Sequence, residues 1–477
     1  MNQLSLPDGL QPRKYQQDAI ISWMNAGGQG ILNMATGTGK TITSLIAASE
    51  LYTRQDQRLA LVVAAPYQHL VDQWVEELSK FGASPIRAYQ SKDQWIPDVS
   101  SAITEFATGG RDLLTIVTTH KTCSANHFQN LISRLNGSQA LFIADEVHHM
   151  GAPHLRKGLP TKVRARLGLS ATPERWHDDD GTNALKNYFT GGIVYEYGIK
   201  EAIDNGYLCE YYYIPHIINL TADESEDYHA LSKAIGRRIG SNDVEDISLK
   251  DDESLQHLLF KRARLIGTAQ NKIETLRSLL IEVGPESLHH SLVYCGDGRM
   301  DFPEAEPGQQ LKRQLRVVTE LVGNELGIRS HQFTYEEDQE TRERLLSEFE
   351  TGELQLLVAI RCLDEGVDIP ATQTAFILSS STNPRQFIQR RGRILRTHES
   401  KQYATIHDFV VVPTITDTAS AKDPVQNIER NLLKRELKRV SMFAQTARNH
   451  PDAELDHIPT TPGSIRELKR EFNLLDV

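Results

Sequence analysis

The sequence predicts an α/β protein of two parallel-sheet lobes followed by a small helical C-terminal segment. Three observations predict it. Short apolar runs alternate with helical patterns from Ile31 to Leu169, and they do so again from about Lys261 to Val412. That alternation marks a parallel sheet covered by helices. At 477 residues the chain is also too long for a single core.

Ile31–Met34, Leu59–Ala65, Leu113–Thr118, Ala140–Ala144 and Ala165–Leu169 read as buried strands of a first lobe, residues 1–205. Leu70, Val71, Trp74, Val75, Leu78 and Phe81 recur at helical spacing and predict an amphipathic helix. Thr221 to Glu253 is rich in acidic and small polar residues, so 206–260 reads as a connector, partly helical or mobile. The second lobe, 261–412, carries strand candidates at Ser291–Cys295, Leu354–Ile360, Thr374–Leu378 and Tyr403–Val410. Residues 413–477 read as a helical tail. Ile428, Leu432, Val440 and Phe443 share one side of a helix there, and Ile465–Phe472 forms a short terminal one.

The net charge of −11 argues against a coat of basic surface, yet a local positive track is all that phosphate binding needs. Met1 to Leu10 shows no basic stretch followed by an apolar run, and no apolar segment is long enough to span a bilayer. The four cysteines, Cys123, Cys209, Cys295 and Cys362, are far apart and read as buried thiols of a reducing compartment. The expectation is a cytoplasmic protein with no membrane partner.

Ala35-Thr36-Gly37-Thr38-Gly39-Lys40-Thr41 follows a buried strand and opens a helical pattern at Ile42, Leu45 and Ile46. Glycines let backbone N–H groups converge on phosphate, and the helix N-terminus adds partial positive charge. In that reading Lys40 reaches the β- and γ-phosphates of ATP and Thr41 holds Mg2+ through its hydroxyl. Met34 stands where the general pattern has its first glycine. The bland alternative is a Gly/Thr turn with an exposed lysine.

Leu141-Phe142-Ile143-Ala144 runs into Asp145-Glu146-Val147-His148-His149. Carboxylates at the carboxyl end of a parallel strand lie where ligands bind. Asp145 suits the magnesium shell, and Glu146 suits orienting and deprotonating the attacking water. His148, His149 and His154 lack the spacing of a zinc site and have no cysteine nearby. His148 reads instead as a bridge from the nucleotide site to the neighbouring lobe.

Asn383 to Arg396, NPRQFIQRRGRILR, carries five arginines and no acid. It reads either as a solvated basic face or as the source of an arginine across an ATP cleft between the lobes, since the second block has no phosphate loop. Arg393 and Arg396, three apart, would share a helical face. Arg385 and Arg391 better suit backbone contacts or surface salt bridges. Lys434, Arg435, Lys438 and Arg439 form a basic helical stretch that touches DNA or a protein, or is simply solvated beside Glu429 and Glu436. Tyr211-Tyr212-Tyr213 reads as strand packing ahead of base stacking.

Taken in order, these elements resemble the superfamily 2 helicases of DEAD/DEAH type, with their paired RecA-like lobes, over about Gln11 to Val412. Arg13-Lys14-Tyr15-Gln16 is similar to the adenine-reading motif, which implies base contact by Gln16 beside Arg13. ATGTGKT is similar to motif I and DEVHH to motif II. GLSATPER contains Ser170 and Thr172 of motif III, which implies a role in coupling ATP state to lobe movement. CLDEGVDIP (Cys362–Pro370) resembles motif V, which implies that Gly366 and Asp368 approach the nucleotide. QRRGRILR (Gln389–Arg396) resembles motif VI and adds Gln389 to the catalytic set. Ile360 stands where many relatives carry threonine.

DEVHH, GLSATPER and LDEGVDIP most resemble the branch of the type III restriction motor subunit, XPB and UvsW. That resemblance implies action on DNA, often duplex, with Pro66, Thr118, Thr119 and the Val293–Gly296 strand end flanking the track. It also implies a role in phage defence, restriction, repair or recombination. No carboxylate-and-lysine nuclease constellation follows Val412, so any cutting would belong to a nuclease or defence/repair partner protein. The alternatives are an RNA helicase of the same superfamily and a non-catalytic scaffold derived from a motor.

Overall fold

The computed structural model describes residues 3–175, 178–239, 252–296, 309–334, 337–360, 369–379, 384–412 and 424–450. The chain forms two compact units that divide after Tyr207.

The first unit is built on strands β1 (Gln29–Met34), β2 (Leu59–Ala65), β3 (Ile86–Ala88), β4 (Leu113–Thr119), β5 (Ala140–Ala144), β6 (Ala165–Ser170) and β7 (Ile193–Tyr197). They form one sheet in the order β3-β4-β2-β5-β6-β1-β7, and every pairing is parallel. Strands β2, β4 and β5 are buried at every residue. A strand covered on both faces has no reason to alternate polar and apolar residues, so these read as unbroken apolar runs.

Helices α1 (Lys14–Asn25), α2 (Lys40–Arg54) and α3 (Gln68–Lys80) follow the same logic. Helix α3 buries Val71, Trp74, Val75 and Leu78, the stripe its periodicity predicts. All seven strands run the same way, so the segments after β1, β5 and β6 emerge at one edge of the sheet. That edge is where open α/β sheets bind ligands.

The second unit holds β8 (Glu210–Asn219), β9 (Ser291–Cys295), β10 (Ser330–Phe333), β11 (Leu356–Ile360), β12 (Thr374–Ile377) and β13 (Tyr403–Val412). Their order is β10-β11-β9-β12-β13-β8, again parallel throughout. Val293, Val358 and Phe376 pack on one face, while Leu292, Tyr294 and Leu357 pack on the other with Phe333 and Phe349.

The stretch expected as a connector is part of this unit. Strand β8 pairs with β13 from Glu210↔Tyr403 to Asn219↔Val412, and helices Ala222–Ile239 and Glu253–Gly267 follow it. The reason lies in its alternation. Tyr211 and Tyr213 are fully buried while Tyr212 between them is half-exposed, the period-2 pattern of an edge strand packed on one face.

The C-terminal helix, Pro424–Ala444, is not a loose tail. It buries Leu433, Leu437, Val440 and Phe443. Arg439, expected on a basic surface, is 3% exposed. It pairs with the buried Asp408 of β13 and donates to Glu436 at 2.7 Å. Tyr213 also donates its hydroxyl to Asp408, at 2.7 Å. Lys434 and Lys438 remain exposed.

Beyond the helix, the Asn449 side chain accepts from the backbone N–H of Tyr213 and donates to its carbonyl, both at 2.9 Å. It stands in for a neighbouring strand and covers part of the β8 edge. The terminal helix expected at Ile465–Phe472 lies outside the described residues. Among the described residues no helix is long and apolar enough to cross a membrane.

Removing one partner of a buried ion pair leaves an uncompensated charge and costs about 3–5 kcal/mol. Asp408→Ala is therefore expected to destabilise the second unit by about that amount, read as a lower denaturant midpoint. An unshifted midpoint would contradict the packing described for Arg439.

Candidate active site

The loop after β1 turns tightly onto α2. Gly37 and Gly39 have φ of 88° and 77°, a left-handed backbone that side-chain-bearing residues rarely adopt. A Cβ on Gly39 would also come within 3.2 Å of the Gln16 side chain. Thr38 is fully buried, its hydroxyl donating to Ala35 O at 2.7 Å. The buried Thr36 hydroxyl has no hydrogen-bond partner among the described residues. Lys40 folds back to donate to Met34 O at 3.2 Å. Thr41 is half-buried in the first turn of α2. The loop thus gathers a lysine, a hydroxyl and the positive end of a 15-residue helix.

The carboxylates follow β5. Asp145 is 8% exposed. Its Oδ2 accepts from the Trp74 indole N–H at 2.8 Å and its Oδ1 from the Glu146 N–H at 2.9 Å. Its own N–H donates to Ala64 O of β2. Burial raises the Asp145 carboxyl above its ordinary value, opposed by the Trp74 bond and the nearby Lys40 ammonium.

Glu146 sits at φ 41°, ψ 52°, an uncommon conformation for a residue with a Cβ. That left-handed turn sends two successive carboxylates to different partners: Asp145 to Trp74, and Glu146 to His148 at 3.4 Å. His148 Nδ1 is 3.0 Å from Ser170 Oγ, and Ser170 Oγ accepts from Thr172 N–H at 3.1 Å. A continuous polar line therefore joins the end of β5 to the segment after β6.

Arg175 pins that line from outside, donating to His148 O and to Asp178. His149 lies within ring-packing distance of Tyr67 and of the buried His120. Burial holds the His120 imidazole down at about 4, so it is neutral near pH 7. No cluster able to hold a metal through three or more His, Cys, Asp or Glu side chains occurs among the described residues.

The upstream motif is tied to the same loop. Gln16 is 5% exposed and accepts from Arg13 N–H at 2.9 Å. The Arg13 guanidinium donates to the Tyr15 hydroxyl at 3.2 Å and lies over the Tyr207 ring at 4.4 Å. Tyr15 donates to Thr38 O at 2.6 Å and stacks on Tyr197 at 4.2 Å.

Of the residues expected on a nucleic-acid track, Thr118 is fully buried and its hydroxyl donates to Ala88 O at 2.6 Å. Its side chain is thus committed within the sheet, contrary to expectation. Thr119 accepts from Thr122 N–H as the cap of helix His120–Cys123, and Pro66 is half-buried after β2. In the second unit, Gly296 closes on Ser379, whose Oγ would lie 2.3 Å from an added Cβ.

The arginine cluster forms the helix Pro384–Ile394. Gln389, Arg390, Arg391 and Arg393 are all buried. Arg390 lies over the Tyr294 ring at 3.9 Å. Arg396 does not share the helix with Arg393, because it lies beyond the helix end and bridges to Leu208. An i→i−3 bond from its N–H to Arg393 O still keeps the two close in the chain. Arg391 is no surface residue, being 5% exposed and bonded to the C-terminal helix. Gly366 and Asp368 lie outside the described residues, as does the side chain of Arg385.

Comparison with known proteins accords with this geometry. The family described as "Type III restriction enzyme, res subunit" matches residues 9–175, and "Helicase conserved C-terminal domain" matches 303–398. The chain belongs to the superfamily 2 helicases. Within them it sides with the restriction-subunit and XPB branch.

The helicase is 28% identical over 412 residues to "DNA 3'-5' translocase XPB2" of Sulfurisphaera tokodaii, covering 83% of this chain and 81% of that one. It is 25% identical to "DNA 3'-5' helicase XPB" of Kineococcus radiotolerans, covering 84% of this chain and 60% of that one. It spans about half the length of some other relatives, such as "Putative ATP-dependent helicase IRC3" of Saccharomyces cerevisiae, at 51%.

Among solved structures, "ATP-dependent Type ISP restriction-modification enzyme LlaBIII bound to DNA" matches with a TM-score of 0.60 at 16% identity, over 98% of this chain and 32% of that one. The Hef helicase domain of Pyrococcus furiosus matches at 0.51 and 16% identity, over 84% and 96%. Both share the fold.

Sequence reasoning did not single out Trp74, Tyr15 or Arg175 as part of this helicase's site. In the sequence Trp74 is one residue of an apolar stripe, whereas in the structure its indole N–H donates to Asp145 at 2.8 Å. A hydrogen bond to a carboxylate is worth about 1.5–3 kcal/mol. Trp74→Phe is expected to lower ATP turnover on the order of tenfold in a protein that still folds by circular dichroism. A wild-type rate would remove Trp74 from the site.

Proposed function

We propose that this ATP-dependent helicase is a DNA translocase, moving along or remodelling duplex DNA. The observation that carries the reading is the pair of carboxylates at the end of β5 emerging at the same sheet edge as the phosphate loop. In this reading Lys40 binds the β- and γ-phosphates, while Thr36, Thr38 and the backbone at Gly37 and Gly39 cradle them. Gln16 and Arg13 meet the base.

Thr41 and Asp145 offer hydroxyl and carboxylate oxygens, the hard donors that Mg2+ prefers, and Asp145 is buried. Bound there, the ion would offset charge on the phosphate oxygens. Glu146 orients the attacking water and takes its proton. Its contact with His148 hands the state of the site through Ser170 to Thr172, which serves coupling.

Gln389, Arg393 and Arg396 of the second unit, with Gly366 and Asp368, would serve the same nucleotide. An arginine supplied in this way is worth about a thousandfold or more in rate. ATP binding would close the two units and hydrolysis would reopen them, alternating grip on the phosphate backbone.

DNA is favoured over RNA by two of the relatives, which are named as a DNA translocase and a DNA helicase. The likeness to a DNA-bound restriction enzyme agrees in fold. The match to a restriction-enzyme subunit favours a nuclease or defence/repair partner. Pro66 and Thr119 would line the track.

Steady-state ATP turnover tests this with duplex DNA, single-stranded DNA, RNA or no nucleic acid. Duplex DNA should stimulate the wild type, and Lys40→Ala and Glu146→Gln should abolish turnover. DNA affinity should fall steeply with added salt, since phosphate contacts release counterions. Greater stimulation by RNA would move the substrate to RNA. Turnover that ignores nucleic acid and both substitutions would end the motor reading.

A further inference from the structure

The helix Pro384–Ile394 carries Arg391 nearly opposite Arg393, because successive residues turn by about 100°. Arg391 therefore cannot serve whatever Arg393 faces. Its Nη1 donates to Met442 O at 3.0 Å, and it lies 3.3 Å from the Tyr211 hydroxyl and 3.4 Å from Thr446 Oγ1. The guanidinium covers the Phe443 ring at 4.6 Å.

Met442 and Phe443 lie in the last turn of the helix Pro424–Ala444, where carbonyls have no partner within the helix and the dipole is negative. Arg391 satisfies one of these carbonyls, and the Tyr211 hydroxyl satisfies the next by donating to Phe443 O at 2.5 Å. Phe387, one turn before Arg391, also packs on Phe443, at 5.6 Å between rings. A planar guanidinium with fixed donors over a ring defines an orientation as well as a contact.

The far end of the same element is held by a second buried cation. Lys401, 7% exposed, donates to the carbonyls of Ile394, Arg396 and Pro370. The segment from Arg393 to Arg396 is thus clamped between Arg391 on one flank and Lys401 at its end.

We propose that Arg391 is a positioning residue for ATP hydrolysis and that the C-terminal helix, through it, sets where Arg393 and Arg396 stand. The inference rests on the reading above that these two arginines serve the nucleotide. It assigns to the C-terminal helix a part in the ATPase cycle, where the sequence offers an apolar side and a basic stretch. A catalytic group displaced by about 1 Å loses on the order of a hundredfold in rate, so the clamp has a measurable consequence.

The test is DNA-stimulated ATP turnover by the full chain carrying Arg391→Gln, Arg391→Lys, Phe443→Leu or Arg393→Ala, with thermal unfolding of each. Arg391→Gln should lower kcat by about tenfold or more while the KM for ATP stays within about twofold, because the phosphate loop belongs to the other unit. Arg391→Lys, which can still donate to Met442 O, should recover part of the loss. Should Arg391→Gln fail to fold, Phe443→Leu removes the ring beneath the guanidinium and should show the same fall in kcat alone.

A wild-type kcat per folded molecule in the folded variants overturns the proposal, as does a loss that only tracks the unfolded fraction. An inactive Arg393→Ala beside a fully active Arg391→Gln overturns positioning alone. An active Arg393→Ala overturns the reading of the arginine helix and this inference with it.

Discussion

The site depends first on how Asp145 is kept in place. A carboxylate at the end of a fully buried strand loses most of its water, and a bare charge there would simply take up a proton. Here the Trp74 indole and the Glu146 amide each donate to it, and Lys40 lies close by. Each of those partners makes a demand on the fold. Trp74 requires α3 to follow β2 and pack beside β5, which the strand order provides. The Glu146 amide requires the left-handed turn that also separates the two carboxylates. Lys40 requires the glycines that bend the phosphate loop onto α2.

The second unit solves the complementary problem. For the proposed role its arginines must be charged, partly buried and pointed, and such side chains need a rigid base. Arg390 rests on Tyr294 and Arg391 caps a neighbouring helix, while Lys401 ties down the helix end. Deeper in the unit, Arg439, Asp408, Glu436 and Tyr213 bind the C-terminal helix to β13 and β8. The same helix thus stabilises the sheet and supports the arginines, so its packing and the proposed chemistry are linked.

What the sequence revealed follows from burial. Central strands such as β2, β4 and β5 are apolar without interruption, and loops that meet phosphate or metal need particular residues, so both are legible by eye. The edges are not. Strands β3, β7 and β10 are short or partly exposed edge strands and escaped notice. Strand β8, the remaining edge, has tyrosines that read as strand packing but lies in a stretch whose composition reads as a connector. Its partner β13 lies almost two hundred residues downstream, as in Tyr213 with Ile406.

Side-chain partnerships across such separations leave no local trace. Trp74 looks like one more apolar residue, and Arg439 like one more surface cation. The helical spacing of Arg393 and Arg396 was visible, but the helix ends between them, where Lys401 gathers the final carbonyls.

The most direct measurement is an experimental structure with DNA and ADP plus a fluoride mimic of the transferring phosphoryl group. Lys40 and at least one of Arg393 and Arg396 should lie within hydrogen-bonding distance of the same mimic, with Glu146 facing the water in line with it. A bound mimic contacted by Lys40 alone, with both arginines turned to solvent, would contradict the shared site.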